Sequence, residues 1–185
     1  MILKEGGERA FSLLAARMGF QRGDESRQPY QDGETLTVNW VVDGDLRVTV
    51  TNDQISESTY LQVFGGDRES VADTAAALAD LGTFSYEELL HTYRTAEDAE
   101  NRASSLVRLG LGAPPARDEE FSSAIAEGLQ SPQKELRNAG LWAASYYALP
   151  EFAPLIEKIA SAEDDDDIRE TAELMLSIYR ERGQK

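Results

Sequence analysis

The densest cluster of chemically active side chains in the sequence is a run of five consecutive acids. Its members are Glu163, Asp164, Asp165, Asp166 and Asp167. Clustered carboxylates supply the hard oxygen ligands that Ca²⁺ and Mg²⁺ prefer, so a cation site is one interpretation. The central glycine and distal glutamate of a calcium-binding loop are missing, and we predict no metal site. We expect instead a loop between two helices, in which Asp167 caps the helix that starts at Ile168.

Two groups of residues are predicted to contact a protein partner. The first is the acidic run without its last member, that is Glu163, Asp164, Asp165 and Asp166, because carboxylates attract a basic protein without special geometry. The second is the pair Trp142 and Tyr146, which share one face of a helix, whereas Tyr147 turns away. Aromatic residues on an exposed face are typical of binding hot spots. The alternative is that they fill the space between packed helices.

Residue patterns typical of enzymes do not occur in the sequence. The chain has no cysteine and one histidine, so it has neither a thiol nucleophile nor the usual set of metal ligands. That histidine, His91, follows Glu87 and Glu88 at helical spacing, as in a pair on a helix surface. There is no phosphate-binding loop, dinucleotide fingerprint or nucleophile elbow. We therefore predict no catalytic residues and no cofactor.

The net charge limits the class of partner. With 34 acidic and 18 basic residues, the chain carries a formal charge of −16 and repels nucleic acid phosphates and anionic membrane surfaces. The charge is spread along the chain, since both halves are acidic. We predict a basic protein as the partner, with no nucleic acid and no membrane. Because the sequence shows neither a signal peptide nor an apolar span, we expect a cytoplasmic protein.

Residues 1–82 are predicted to form an α-β-β-β-α domain with a three-stranded antiparallel sheet. Apolar residues at helical spacing predict a first helix, and the polar segment Gln21–Glu34 after it is predicted to be a loop. Alternating apolar and polar residues then predict three strands, with Asp43 and Gly44 as the first hairpin turn. The helices are expected over Glu8–Met18 and Arg68–Leu81, the second capped by Asp67, and the strands over Thr35–Val41, Leu46–Thr51 and Ser58–Phe64.

Residues 83–185 are predicted to be helical throughout. Amphipathic segments separated by glycine, proline or capping residues predict three antiparallel helix pairs. One helix is expected to have Ser131 as its cap and Pro132 at its first position, where a missing N–H costs nothing. The segments are Tyr86–Arg94, Asp98–Leu111, Asp118–Leu129, Ser131–Tyr147, Pro150–Ala160 and Asp167–Arg182.

A short phrase with a central arginine recurs three times in this helical part, at Arg102, Arg137 and Arg169, with spacings of 35 and 32 residues. A fixed period in this range is typical of stacked helix pairs. Each arginine is followed by a small residue three positions on and by an apolar residue seven positions on. The small residues are Ser105, Gly140 and Ala172, and the apolar ones are Leu109, Ala144 and Leu176. The arginines are expected to pair with acids of a neighbouring helical unit.

This pattern resembles the HEAT-like repeats first noted in bilin lyases, over the helical half of the chain only. The resemblance implies an α-solenoid of about three helix pairs with a protein-binding surface. Proteins with such repeats include adaptors, lyases, glycosylases and inhibitors, so the resemblance does not imply one reaction. The fold class expected for the whole chain is therefore α+β.

The function predicted from these features is non-enzymatic protein binding. A small, strongly acidic chain on a repeat scaffold is suited to rapid electrostatic association with a basic protein. We predict an acidic stoichiometric inhibitor, such as an immunity protein that neutralises a basic bacterial toxin. The alternatives are a secretion-type chaperone or adaptor and a bilin-lyase-like enzyme.

Overall fold

The computed structural model describes residues 1–30 and 33–183. Small parts of the predicted loop Gln21–Glu34 and of the predicted helical domain therefore lie outside the described residues. The chain is α+β and divides into two compact units, Met1–Ser85 and a second unit that begins at Tyr86. The first unit holds the sheet, and the second consists of helices.

The first unit contains a four-stranded antiparallel sheet in the order β1-β2-β3-β4. The predicted three-stranded sheet is therefore wrong by one strand. The elements are α1 (Gly7–Met18), β1 (Gln21–Tyr30), β2 (Gly33–Asp43), β3 (Leu46–Asp53), β4 (Ser58–Phe64) and α2 (Arg68–Leu78), with a 3₁₀ turn at Ala79–Leu81. The first helix and its Gly19 stop are confirmed, as is the cap of α2, where Asp67 Oδ1 accepts a hydrogen bond of 2.8 Å from the Ser70 N–H.

The additional strand, β1, occupies most of the segment predicted to be a loop. It pairs with β2 along its length, but residues 21–29 are all exposed, so it has no alternating apolar pattern to reveal it. Polar cross-strand contacts accompany the backbone pairing: Arg27 lies 3.0 Å from Glu34, and Asn39 donates to Asp24 over 3.2 Å. Its position at the edge of the sheet also accommodates Pro29, which cannot donate to a ladder.

The hairpin between β2 and β3 forms as predicted, but its turn is displaced by one residue. Asp43 pairs with Leu46, so the two central turn residues are Gly44 and Asp45. Of these two, Gly44 alone has a positive φ, of 52°. A bulge before Asp43 accommodates the displacement.

The core of the first unit lies between one face of the sheet and its helices. Buried apolar residues of α1, β3, β4 and α2 contribute to it. The ring of Phe11 meets that of Trp40 edge to face, with centroids 5.5 Å apart. The remaining buried members of this core are Leu3, Ala15, Phe20, Val48, Val50, Leu61 and Leu78.

The first residues of the chain tie the end of the first unit to its sheet. Leu61 donates its N–H to the carbonyl of Met1 over 2.8 Å. On the other side of this short segment, Phe84 donates to the carbonyl of Ile2 over 3.0 Å. Residues 83–85, placed in the helical half from sequence, thus bond within the first unit.

The second unit contains six helices in its described part, 86–183. They are α3 (Tyr86–Thr95), α4 (Ala99–Leu111), α5 (Glu119–Leu129), α6 (Lys134–Tyr147), α7 (Ala153–Ala162) and α8 (Asp166–Gly183), with a 3₁₀ turn at Pro150–Phe152. Successive helices pack as α3 on α4, α5 on α6 and α7 on α8, and α6 also contacts both α4 and α8. The predicted start of α6 is wrong: Ser131 Oγ accepts from the Gln133 N–H over 3.2 Å, and the helix begins two residues after Pro132.

Glycines allow helices of the second unit to approach closely. A Cβ atom on Gly110 of α4 would overlap the backbone of Ala143 in α6. A Cβ on Gly140 would lie 2.7 Å from the backbone nitrogen of Leu129. Helix α6 is therefore held against α4 and α5 at backbone contact distance.

Candidate functional site

The three repeat arginines make the same backbone hydrogen bond. In each case the guanidinium donates to the carbonyl of the residue six positions earlier, in the connection that precedes the helix. The acceptors are Ala96 for Arg102, Ser131 for Arg137 and Glu163 for Arg169, at 3.0, 3.0 and 3.1 Å. This bond fixes each connection against the first turns of the following helix. The shared geometry also places α4, α6 and α8 in a common register.

Arg137 also joins α6 to the connection between α7 and α8. Its Nε and Nη2 atoms donate to the two carboxylate oxygens of Glu163 over 2.6 and 2.8 Å. The Glu163 side chain is only 6% exposed in this ion pair. Hydrogen bonding from Arg137 lowers the pKa of Glu163, and the same bond raises the pKa of Arg137. The expected pairing with an acid of a neighbouring helical unit is thus confirmed for Arg137.

The side chains of the other two repeat arginines have different partners from that of Arg137. Arg169 pairs with Asp166 of its own helix, so the expected pairing with a neighbouring unit is wrong there. Arg102 donates to the Ala96 carbonyl. The shared role of the three arginines is the backbone bond, to which Arg137 adds an ion pair between units.

The acidic run is divided between internal contacts and solvent. Asp165 accepts from Lys134 Nζ over 3.2 Å and from the Ile168 N–H over 3.4 Å; the bond from Lys134, followed by that from Ile168, lowers its pKa. Asp165 therefore caps α8, and the predicted cap at Asp167 is wrong. With Glu163 and Asp166 bound to arginines, the exposed Asp164 and Asp167 are the members most open to a partner. No cluster of three or more His, Asp or Glu side chains suited to a metal ion occurs among the described residues.

The aromatic residues of α6 lie on two different faces of the helix. Trp142 and Tyr146 are half-buried on one face of the helix. Tyr147 is also half-buried, and its hydroxyl accepts from the Asp118 N–H over 2.6 Å and donates to the Ala116 carbonyl over 2.9 Å. Its ring packs against Phe121. The predicted separation of Tyr147 from the other two is confirmed.

The common register extends the Trp142 face to the neighbouring helices. Trp142 and Tyr146 lie five and nine positions after Arg137, and apolar residues occupy the same two positions after each of the other repeat arginines. We call these six residues the apolar stripe: Val107 and Leu111 on α4, Trp142 and Tyr146 on α6, and Leu174 and Ile178 on α8. Because the arginine bond begins each helix alike, equal offsets lie on corresponding sides of the helices.

Exposure along the apolar stripe increases toward the last helix. Val107 is only 5% exposed, Trp142 and Tyr146 are intermediate, and Leu174 and Ile178 are 59% and 38% exposed. Sequence reasoning missed Leu174 and Ile178 as candidate binding residues. Counting from the repeat arginine, rather than searching for aromatic side chains, would have found them.

An acidic groove of 270 Å³ lies between α3 and α5. Glu119, Glu120 and Glu127 line it together with Tyr93. Burial, followed by the charge of Glu127, raises the pKa of the Tyr93 hydroxyl. Arg94 contributes the positive charge of the groove and lies 3.3 Å from Glu120. The groove therefore suits a cationic side chain better than an anionic one.

Comparisons of the chain with protein-family models, with curated proteins and with solved structures find no match. None of the helices in the described part of the chain is long and apolar enough to cross a membrane.

Proposed function

We propose that this chain is a non-enzymatic protein-binding module that inhibits a basic protein stoichiometrically. An immunity protein that neutralises a basic bacterial toxin is the form of this function that its features fit best. The observation that carries the proposal is the distribution of charge in the second unit, where five cations are bound to the unit's own acids and carboxylates remain in excess. The net charge of −16 favours a basic protein over nucleic acid or an anionic membrane as the partner.

Among the described residues of the second unit, five cations form the following ion pairs. The pairs are Arg94–Glu120, Arg117–Glu151, Lys134–Asp165, Arg137–Glu163 and Arg169–Asp166. Residues 83–185 contain 20 acids and 11 bases, so carboxylates remain in excess after these pairs form. Asp164 and Asp167 are exposed, and Glu119 is 84% exposed at its side chain. Such a surface steers a basic protein toward it and accelerates association.

The scaffold of this surface, in the same proposal, is a short α-solenoid of three HEAT-like helix pairs. Two observations support it. The arginine bond to the carbonyl six residues earlier recurs in all three units. The small residues three positions after the arginines, Ser105, Gly140 and Ala172, are all buried. Helix pairs stacked in this way offer a continuous surface for a protein ligand.

The non-enzymatic part of the proposal is supported by the titratable groups. Four described carboxylates have a lowered pKa, namely Asp67, Asp98, Glu163 and Asp165, which cap helices or accept from a cation. A carboxylic acid that donates a proton in catalysis needs a raised pKa. The shifts are therefore accounted for by helix caps and ion pairs.

The direct test is to identify the product of the neighbouring open reading frame and to titrate this chain against it. We expect inhibition to be complete at a 1:1 molar ratio, with an association rate that falls steeply as salt is raised. A neighbouring frame that encodes no basic protein would contradict the proposal. So would a basic product that forms no complex, or one whose association is indifferent to salt.

A further inference from the structure

We propose that Leu174 and Ile178 on α8 form the docking site for an amphipathic basic segment of the partner protein. Apolar side chains of the segment would cover these two residues, while its lysines or arginines would lie against Asp167 and Glu170. The inference rests on the proposed function, because it takes the partner to be a basic protein. It adds the location of the contact and the chemistry of the segment that is recognised.

Leu174 and Ile178 are both exposed to solvent. They lie four positions apart and so share one face of α8, with exposed fractions of 59% for Leu174 and 38% for Ile178. A single exposed apolar side chain is ordinary, but a pair on one face forms a patch. Burying two such residues removes apolar surface from water and so favours the docking of an apolar side chain of a peptide segment.

Leu174 and Ile178 are also part of the apolar stripe. The corresponding positions on α6 hold Trp142 and Tyr146, and Val107 is at the first of the two positions on α4. All six positions of the apolar stripe hold an apolar or aromatic residue, including the two exposed positions on α8. Packing requires apolar residues only on the faces of a helix that contact its neighbours. Leu174 and Ile178 continue this line on the last helix of the described chain and are its most accessible members.

The charges beside Leu174 and Ile178 favour a basic occupant of this face. Asp167 and Glu170 lie seven and four positions before Leu174, so they fall on the same side of α8. Both acids are exposed. The nearest cation in this turn, Arg169, is bound to Asp166. From 167 to 178, the described positions on this side are therefore acidic, polar or apolar, with no lysine or arginine among them.

This distribution disfavours a second copy of the chain as the occupant. Two copies meeting through this face would bring Asp167 and Glu170 of both chains together, and the described positions 167–178 on this side of α8 offer them no cation. Like charges in a partly desolvated contact oppose association. A segment with apolar residues on one side and lysine or arginine beside them complements both features at once.

The test uses a fluorescent 14-residue peptide built from leucine and lysine as an amphipathic helix. Its affinity for the full chain is measured by fluorescence anisotropy at physiological salt. The variant is Leu174→Asp with Ile178→Asp, and the matched control is Leu13→Asp with Met18→Asp, which replaces two exposed apolar residues of α1. Circular dichroism and thermal unfolding establish that both variants are folded. A second variant, Leu174→Ser with Ile178→Ser, repeats the test without a change of charge.

The added aspartates make the test decisive, because they increase the attraction of the whole chain for a basic peptide. A docking site at the pair predicts that the α8 variant binds about tenfold more weakly despite its extra charge. The α1 control should bind at least as tightly as the unmodified chain. Replacing Asp167→Asn and Glu170→Gln should also weaken binding and reduce its dependence on salt.

Several outcomes would overturn the inference. One is an α8 variant that binds as tightly as, or more tightly than, the unmodified chain. Another is an unmodified chain that does not bind the peptide. A third is a concentration-dependent dimer, seen by sedimentation, that the α8 substitutions abolish, since it would make a second copy the occupant. If the basic toxin still forms a salt-dependent 1:1 complex in these cases, the proposed function stands without this site.

Discussion

Arg137 and Glu163 form a two-point ion pair between helix α6 and the connection that leads into α8, with donor–acceptor distances of 2.6 and 2.8 Å. Glu163 belongs to the acidic run predicted to contact a partner, yet its side chain is the least exposed of the ion-paired acids in the described chain. Its charge stabilises the scaffold, whereas its neighbours Asp164 and Asp167 face solvent.

Removing the cation of this pair should destabilise the second unit. The substitution Arg137→Met leaves the Glu163 carboxylate without its partner and should lower the free energy of unfolding by about 2 kcal/mol. Lys134→Met is the matched control, because Lys134 pairs with Asp165 at the surface, where its side chain is 60% exposed. That change should cost about 0.5 kcal/mol or less. Urea unfolding of both variants measures the difference, and equal losses would contradict the assigned role of Arg137.

The same pair should make stability depend on pH in a defined direction. Arg137 holds the pKa of Glu163 below its ordinary value of 4.5, so this contribution is present above that value. It is lost as the pH falls through the lowered pKa of the folded state. The free-energy difference between the unmodified chain and Glu163→Gln should therefore be largest near pH 7 and shrink toward pH 3. A difference that stays constant over this range would show that Glu163 is not ionised in the pair.

The close approach of α4 and α6 should be sensitive to one added methyl group. Gly110→Ala would place a Cβ against the backbone of Ala143 and should cost about 1–3 kcal/mol through overpacking, although alanine is ordinarily the better helix former. In the control Gly128→Ala, the closest atom to the new Cβ is the end of the Leu106 side chain, which can move aside. Thermal unfolding should rank Gly110→Ala as the more damaging change, and the reverse order would refute the proposed tight contact.

The exposed acids beside the ion pair should affect binding more than stability. If the proposed function holds, Asp164→Asn with Asp167→Asn should slow association with the basic toxin by about two- to threefold at low salt. Asp73→Asn with Asp80→Asn makes the same change in net charge on exposed sites of the first unit. Stopped-flow mixing measures the association rate of each double variant. If the two variants associate equally slowly, the effect is due to net charge rather than to this surface.

The helices were largely predictable because their signals are local. Apolar spacing, Gly19 and the Asp67 cap define the ends of two helices without reference to the rest of the chain. The edge strand β1 was missed because its residues are exposed and polar, so burial leaves no alternating pattern in them. Asp165 was overlooked as the cap of α8 because each of several adjacent aspartates has a side chain able to cap a helix.

The sequence by itself determined the α+β composition, the acidic charge and the repeat of the three arginines, since these follow from residue type and spacing. Only the tertiary structure decided which acids are neutralised by cations and which face solvent. It also decided that Leu174 and Ile178, rather than the aromatic pair alone, are the most exposed part of the apolar stripe. The physical reason is that ion pairing and exposure depend on contacts between residues far apart in the chain, such as Arg137 and Glu163, which no local pattern encodes.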